Sequence, residues 1–337
     1  MRTLRQLLFV LPILLVVGPS ACGTPESPDS EVVEVTVPPA ASFRQVTDSL
    51  EARGLVAYPR FFRLLARVRG DDRRVHAGTY RFEEGSNWLE LLDTLVEGRV
   101  ETLAVTIPEG FTLEQMAPRL AHIVEGDEEV VLARLHEESA AERLGVPGPS
   151  LEGYLFPDTY RFAPSVSLDA VLSTLVGRYR LLWNEEREVR AEELGMSEAE
   201  VVTLASIIEA EARRGTEMRI ISSVFHNRLR IGMPLQADPT IQYALGERQQ
   251  RLLYSHIDSV ADHPYNTYTH PGLPPGPIGA PGEAALDATL DPAETEYLYF
   301  VARPDGSHIF SRTLAEHNRA RVESRREWDR MGSSPGG

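Results

Sequence analysis

Twice along the chain a short run rich in β-branched residues is closed by proline and followed, a few residues later, by a stretch with helical spacing. Val35-Thr36-Val37-Pro38 precedes Phe43 to Leu55, where Phe43, Val46 and Leu50 recur at helical intervals until Gly54. Val105-Thr106-Ile107-Pro108 precedes a second helical segment at Leu113 to Val124. Proline lacks the N–H that a strand interior needs, so each run ends as a strand at that point. The 3.6-residue period that follows predicts a helix. Either one strand-then-helix unit has been duplicated, or the chain uses a junction common in mixed folds; periodicity leaves both open.

The remaining elements give the fold class. Gly78 to Phe82 reads as a further strand, and Asn87 to Val96 as a helix stopped by Gly98. Asp127 to Arg143 is acidic and helical. Leu151 to Tyr160 is too rich in glycine, proline and aromatics for an element interior and reads as an apolar loop. Helices are expected at Ser167 to Trp183, Ser197 to Arg213 and Glu217 to Arg230, the last closed by Gly232 and Pro234. His263 to Gly282 is a long loop. Tyr297 to Ala302 and Ser307 to Phe310 flank Pro304-Asp305-Gly306, a hairpin signal, and a short helix near Leu314 to Arg321 precedes a polar tail at 326–337. This order of elements predicts an α+β chain: a small strand-helix module, then a helix-rich region ending in a hairpin.

Composition narrows the chemistry. The 337 residues suffice for about two domains. A net charge of −16 opposes the phosphate backbone, so nucleic acid is not an expected partner. All 34 basic residues are arginine. Without lysine there is no Schiff-base chemistry, which removes pyridoxal-phosphate lyases, and no phosphate-loop lysine. The single cysteine, Cys22, excludes an internal disulfide framework and a cysteine zinc cluster. The nine histidines form no His-Glu-x-x-His pair, so no metal is expected.

Arg2 and Arg5 followed by an apolar run from Leu7 to Val17 have the layout of an export signal. The run is shorter than the ~20 residues of a spanning helix. Ser20-Ala21-Cys22 is similar to the end of a bacterial lipobox, with Pro19 where leucine is usual, so Cys22 is a possible lipidation site. Residues 1–22 are therefore read as a signal peptide or membrane anchor, and the polar, proline-bearing 23–34 as a linker. This places the protein at the bacterial plasma membrane with its body outside the cytoplasm.

The helix at Ser197 begins with Ser197 and Glu200 in capping-box spacing, which fixes its phase. Val201, Leu204, Ala205, Ile208 and Ala212 share one face, with Glu209 on its shoulder. Partial burial raises a carboxyl pKa, which suits a general acid. An ion pair with Arg213 on a solvated face is the plainer account, and Glu211 on the opposite shoulder fits nearly as well.

Several segments together resemble the YceG-like family of peptidoglycan-cutting transglycosylases. They are Ala205 to Glu209, Ser223 to Leu229, Leu235 to Thr240, Tyr265 to Tyr268 and Gly272 to Ile278, with Thr106 to Phe111, Glu152 to Tyr160 and Tyr297 to Ala302, in order over about 35–325. The resemblance implies that Glu209 is catalytic, that 35–105 is a LysM-like module and 106–325 the catalytic domain, and that no cofactor is used. It implies lytic cleavage of nascent glycan strands to 1,6-anhydro ends, limiting strand elongation, alongside penicillin-binding proteins of the glycan-polymerising machinery.

Gln236, Asn266, Thr267 and Tyr268 are of the types that hold N-acetyl groups and sugar faces, although a loop held by its own side chains explains them equally. Asp238, before Pro239 and a helical run at Thr240 to Leu245, reads as an N-cap or a further substrate contact with Thr240. Glu152 and Tyr154 are candidates for the cleft, Glu152 alternatively in an arginine ion pair. His226 and Asn227 are expected to hydrogen-bond across the core. The competing function is a non-catalytic peptidoglycan-binding scaffold.

Overall fold

The computed structural model describes residues 32–247, 249 and 252–332. Cys22, the apolar run and residues 333–337 lie outside them. Among the described residues no helix is long and apolar enough to cross a membrane. The chain divides into two units, one ending at Val100 and one beginning at Glu101.

The first unit runs β1 (Val32–Val37), α1 (Phe43–Ala52), α2 (Pro59–Arg69), β2 (Gly78–Glu83) and α3 (Trp88–Glu97). β1 begins inside the expected linker. Ser42 and Gln45 form a capping box on α1, while Asn87 caps α3 and Gly98 ends it in the left-handed conformation. β1 and β2 pair antiparallel, Thr36 opposite Thr79 and Val35 opposite Tyr80. Val35, Leu50, Phe62, Tyr80 and Leu91 are fully buried between this ladder and the helices. The helix α2 was not expected, because Tyr58, Phe61, Leu64 and Val68 blur its periodicity.

The second unit opens with β3 (Leu103–Thr106), α4 (Leu113–Val124), α5 (Glu128–Leu135), α6 (Glu138–Leu144) and β4 (Thr159–Phe162). β4 takes in Thr159 and Tyr160, which had read as loop, because they complete a ladder with β3: Thr106 faces Thr159 and Val105 faces Tyr160. Next come α7 (Leu168–Leu182), α8 (Glu185–Leu194), α9 (Glu198–Glu211), α10 (Met218–Arg230), α11 (Asp238–Leu245), α12 (Tyr254–Ser259) and α13 (Glu283–Leu290). β5 (Tyr299–Ala302) and β6 (His308–Ser311) form the hairpin, and α14 (Leu314–Arg330) closes the unit. The helix α14 is longer than its sparse apolar pattern suggests, because Ala320 and Ser324 are buried and the Ser324 hydroxyl donates to Ala302 O at 2.7 Å.

Among the described helices α9 has the longest stretch buried on every side, from Val201 to Ile208. The single apolar stripe read from its sequence therefore understates its burial. It sits at the centre of the larger core, with the buried run Leu151–Pro157 among its surroundings.

Candidate active site

Burial of α9 decides where a carboxylate on it can go. The capping box closes its start, Ser197 N–H donating to Glu200 Oε2 at 2.8 Å and Glu200 N–H to Ser197 Oγ at 3.3 Å. Its last turn leaves the core, and Glu209 is the first half-exposed residue after eight buried ones. The segment Gly276–Gly282 crosses this end of the helix, buried throughout. Its path is pinned at three points. Ile278 N–H donates to Ser206 Oγ at 3.0 Å, Ala280 N–H to Phe111 O at 2.8 Å, and Gly110 N–H returns a bond to Ala280 O at 2.7 Å. The fourth tie is to the candidate itself: Gly282 N–H donates to Glu209 Oε2 at 3.1 Å.

Gly282 has neighbours on both sides. A Cβ at this position would overlap Oε1 of Glu109, so only glycine lets the Glu109 carboxylate lie against the backbone whose N–H holds Glu209. Gly279 is equally constrained, since its Cβ would lie 2.8 Å from Gly110 O. Burial raises the Glu209 carboxyl above the ordinary glutamate range, the Gly282 N–H opposes this, and the Glu109 charge adds to it. No Arg213 pairing is needed to account for Glu209. Glu109 and Gly282 were not singled out from sequence, because neither sits in a periodic element; the only sign was their place in the Pro-Glu-Gly and Pro-Gly turns.

Glu211 points elsewhere. It is half-buried, and desolvation with the nearby Asp238 charge pushes it up to about 8, against Arg228 and the Asp238 backbone N–H. The two shoulders of α9 thus hold two perturbed carboxyls in different surroundings.

The other candidates separate into two groups. Asp238 is the first residue of α11 rather than its N-cap, which is Ala237, and its Oδ1 accepts from the Tyr268 hydroxyl. Gln236 is exposed, in a left-handed conformation, its N–H bonded to Thr267 O at 3.0 Å. Asn266, Thr267 and Thr240 are buried and used internally. Asn266 Nδ2 donates to Ile257 O and Val260 O, both at 3.0 Å, while Thr267 Oγ1 accepts from Ala237 N–H at 3.0 Å and lies 2.9 Å from Thr240 Oγ1.

Glu152 has no arginine partner. Its Oε2 accepts from Leu113 N–H at 3.3 Å, at the start of α4, and from Tyr243 at 3.4 Å. Its Oε1 is buried without a hydrogen bond, and burial pushes the carboxyl up to about 8. Tyr154 is wholly buried, edge-on to Tyr179 at 5.2 Å. His226 and Asn227 hydrogen-bond across the core, to Thr289 O at 2.9 Å and to Thr295 O and Tyr297 O at 2.9 and 3.0 Å.

A model of the YceG-like family matches residues 35–323, which include every element described except the start of β1 and the end of α14. The chain belongs to the YceG-like family. It is 31% identical over 320 residues to a Bacillus subtilis protein named endolytic murein transglycosylase, covering 90% of this chain and 88% of that one. A Streptococcus pneumoniae protein of the same name is 28% identical over 319 residues, covering 85% of this chain and 57% of the longer relative. A crystal structure of a YceG-like protein from Listeria monocytogenes superposes with a TM-score of 0.60 at 31% identity, covering 86% of this chain and 99% of that one. In this YceG-like chain the family match takes in both perturbed carboxyls of α9 and the Glu109 turn.

Proposed function

We propose that this protein is an endolytic peptidoglycan transglycosylase in which Glu209 serves in turn as acid and base. The observation that carries the reading is the setting of Glu209, a half-buried carboxyl of raised proton affinity held by one backbone N–H beside a second carboxylate. The relatives named for this activity support the choice of substrate.

Glu209 donates its proton to the oxygen joining C1 of N-acetylmuramic acid to N-acetylglucosamine. The C1–O bond breaks with its electron pair on that oxygen. The C6 hydroxyl of the muramic sugar then attacks C1 and gives its proton to the Glu209 carboxylate, closing a 1,6-anhydro ring and restoring the acid. Because the nucleophile is on the substrate, no water is consumed and much of the entropic barrier is already met. The Glu109 charge adds to burial in raising the proton affinity of Glu209 and favours the cationic character that develops at C1.

Gln236, Asp238 and Tyr268 face outward enough to hold sugar. Thr240, Asn266 and Thr267 support those loops from beneath, Glu152 ties the start of α4 to Tyr243 of α11, and Tyr154 packs on Tyr179. In this reading residues 35–105 are a LysM-like glycan-gripping module and 106–325 the cutting domain. The N-terminal segment fixes both outside the cytoplasm, through an uncleaved apolar run or a lipid on Cys22. Cutting nascent strands beside the penicillin-binding proteins that polymerise them would limit strand length.

The test is incubation with uncrosslinked glycan strands and mass spectrometry of the products, with Glu209→Gln and Glu211→Gln in parallel. Internal fragments with 1,6-anhydro ends, absent only for Glu209→Gln, are expected. Reducing ends would mean hydrolysis by a second carboxylate. Glycan binding without cleavage by the folded protein would mean a scaffold.

A further inference from the structure

One helix of the first unit has two apolar faces. Phe62 and Ala66 of α2 are buried in the core, yet Tyr58, Phe61, Leu64 and Val68 are 65, 64, 57 and 78% exposed. Their spacing of three, three and four residues aligns them along one side of the helix. Scattered exposed apolar residues are ordinary, but four in one contiguous stripe mark a surface that meets something.

Charge identifies the partner. In 32–100 the ten arginines and ten acidic residues cancel, so almost all of the net −16 resides in the second unit. Within the first unit, α2 carries Arg60, Arg63, Arg67 and Arg69 and no acidic residue. By helical phase, the exposed Arg60 and Arg67 border the stripe beyond Leu64 on the side away from the core, whereas the half-buried Arg63 pairs with Asp48 at 3.3 Å. An apolar ridge bordered by arginines, in a protein otherwise strongly acidic, complements an anionic lipid surface. The sequence also limits the distance: residues 18–31 join the apolar run to β1 and span about 50 Å at full extension.

We propose that the Tyr58, Phe61, Leu64 and Val68 face of α2 lies in the headgroup layer of an anionic bilayer, with Arg60 and Arg67 at the level of the phosphates. The stems of these arginines pack beside the ridge while their guanidinium groups bond phosphate oxygens. The inference rests on the proposed membrane attachment. It adds that the first unit lies on the membrane rather than hanging free on a linker.

The single cysteine makes the test direct. The unprocessed full chain carrying Cys22→Ser and Leu64→Cys is labelled with a polarity-sensitive dye and reconstituted into vesicles of phosphatidylglycerol and phosphatidylethanolamine. Leu181→Cys, on α7 and 78% exposed, is the matched control. Flotation reports attachment; a blue shift and quenching by brominated acyl chains report depth. The expected result is flotation of both, with blue shift and quenching at residue 64 only. Arg60→Gln with Arg67→Gln should reduce the shift at least severalfold. Flotation without a shift at 64 overturns the inference and leaves attachment standing, whereas failure to float defeats the inference together with attachment through the apolar run. A shift already present without vesicles would mean that protein covers the stripe. An equal shift in phosphatidylcholine would remove the role of charge.

Discussion

The ladders β1/β2 and β3/β4 are built from nearly the same residues. Val-Thr-Val-Pro and Thr-Tyr-Arg-Phe at 35–38 and 79–82 recur as Val-Thr-Ile-Pro and Thr-Tyr-Arg-Phe at 105–108 and 159–162. The register is shared, threonine opposite threonine and valine opposite tyrosine. The Thr36 and Thr79 hydroxyls lie 3.3 Å apart, those of Thr106 and Thr159 2.9 Å. Tyr80 donates to the carbonyl four residues back at 2.6 Å, and so does Tyr160. Tyr80 stacks on Phe82 at 6.0 Å and Tyr160 on Phe162 at 6.1 Å.

What differs is the turn after the first strand. In the first unit it is Pro38-Pro39-Ala40-Ala41, which leads directly into the Ser42 cap. In the second it is Pro108-Glu109-Gly110-Phe111, which pairs with Ala280 and sets Glu109 against Gly282 beside Glu209. The same frame carries a plain turn in one case and part of the candidate site in the other. Chemistry follows the loop and what packs on it, while the ladder supplies rigidity.

The comparison breaks most sharply at Glu209. Glu209→Gln should lower cleavage by about 10²–10⁴-fold with both ladders equally protected in hydrogen exchange; lost protection would mean a structural role. Smaller is the effect of Glu152→Gln, in a buried segment of the second unit. Glu152 titrates near 8 when folded but near 4.3 when unfolded. Its contribution is therefore fully present below the unfolded value and is lost as pH rises toward 8, by about 1.4 kcal/mol per unit between them. Glu211, also raised to about 8, adds to the slope of the native chain, so urea unfolding from pH 4.5 to 8 should show the Glu152 share as the difference between the native chain and the flatter variant.

Glu109→Gln removes the charge that raises the Glu209 pKa, so the alkaline limb of kcat/KM should move to lower pH. An unmoved limb would separate Glu109 from the chemistry. Smallest are Tyr80→Phe and Tyr160→Phe, each losing one hydrogen bond, about 1 kcal/mol. Both should reduce local exchange protection similarly, and only Tyr160→Phe should also reduce turnover, through the Glu109 turn. Equal activity losses would mean that the first ladder also serves cleavage.

Several features were legible from sequence because the physics is local. Proline-closed strands, the Ser197 and Glu200 box, the Asn87 and Gly98 helix limits and the turn at Asp305 depend on residues within a few positions. The absence of lysine chemistry is also fixed by composition. Tertiary structure decided the rest. Periodicity on α9 left Glu209 and Glu211 equivalent, and only packing gave one the Gly282 and Glu109 turns and the other Asp238 and Arg228. Asn266 and Thr267 look like sugar ligands in a polar loop, yet they are bonded to two carbonyls, a hydroxyl and a backbone N–H 6 to 30 residues away. The shared register of the two ladders likewise needed strands about 40 to 60 residues apart to meet. Proton affinity and hydrogen-bond satisfaction depend on what surrounds a side chain in space, and those neighbours are brought together by folding, not by sequence adjacency.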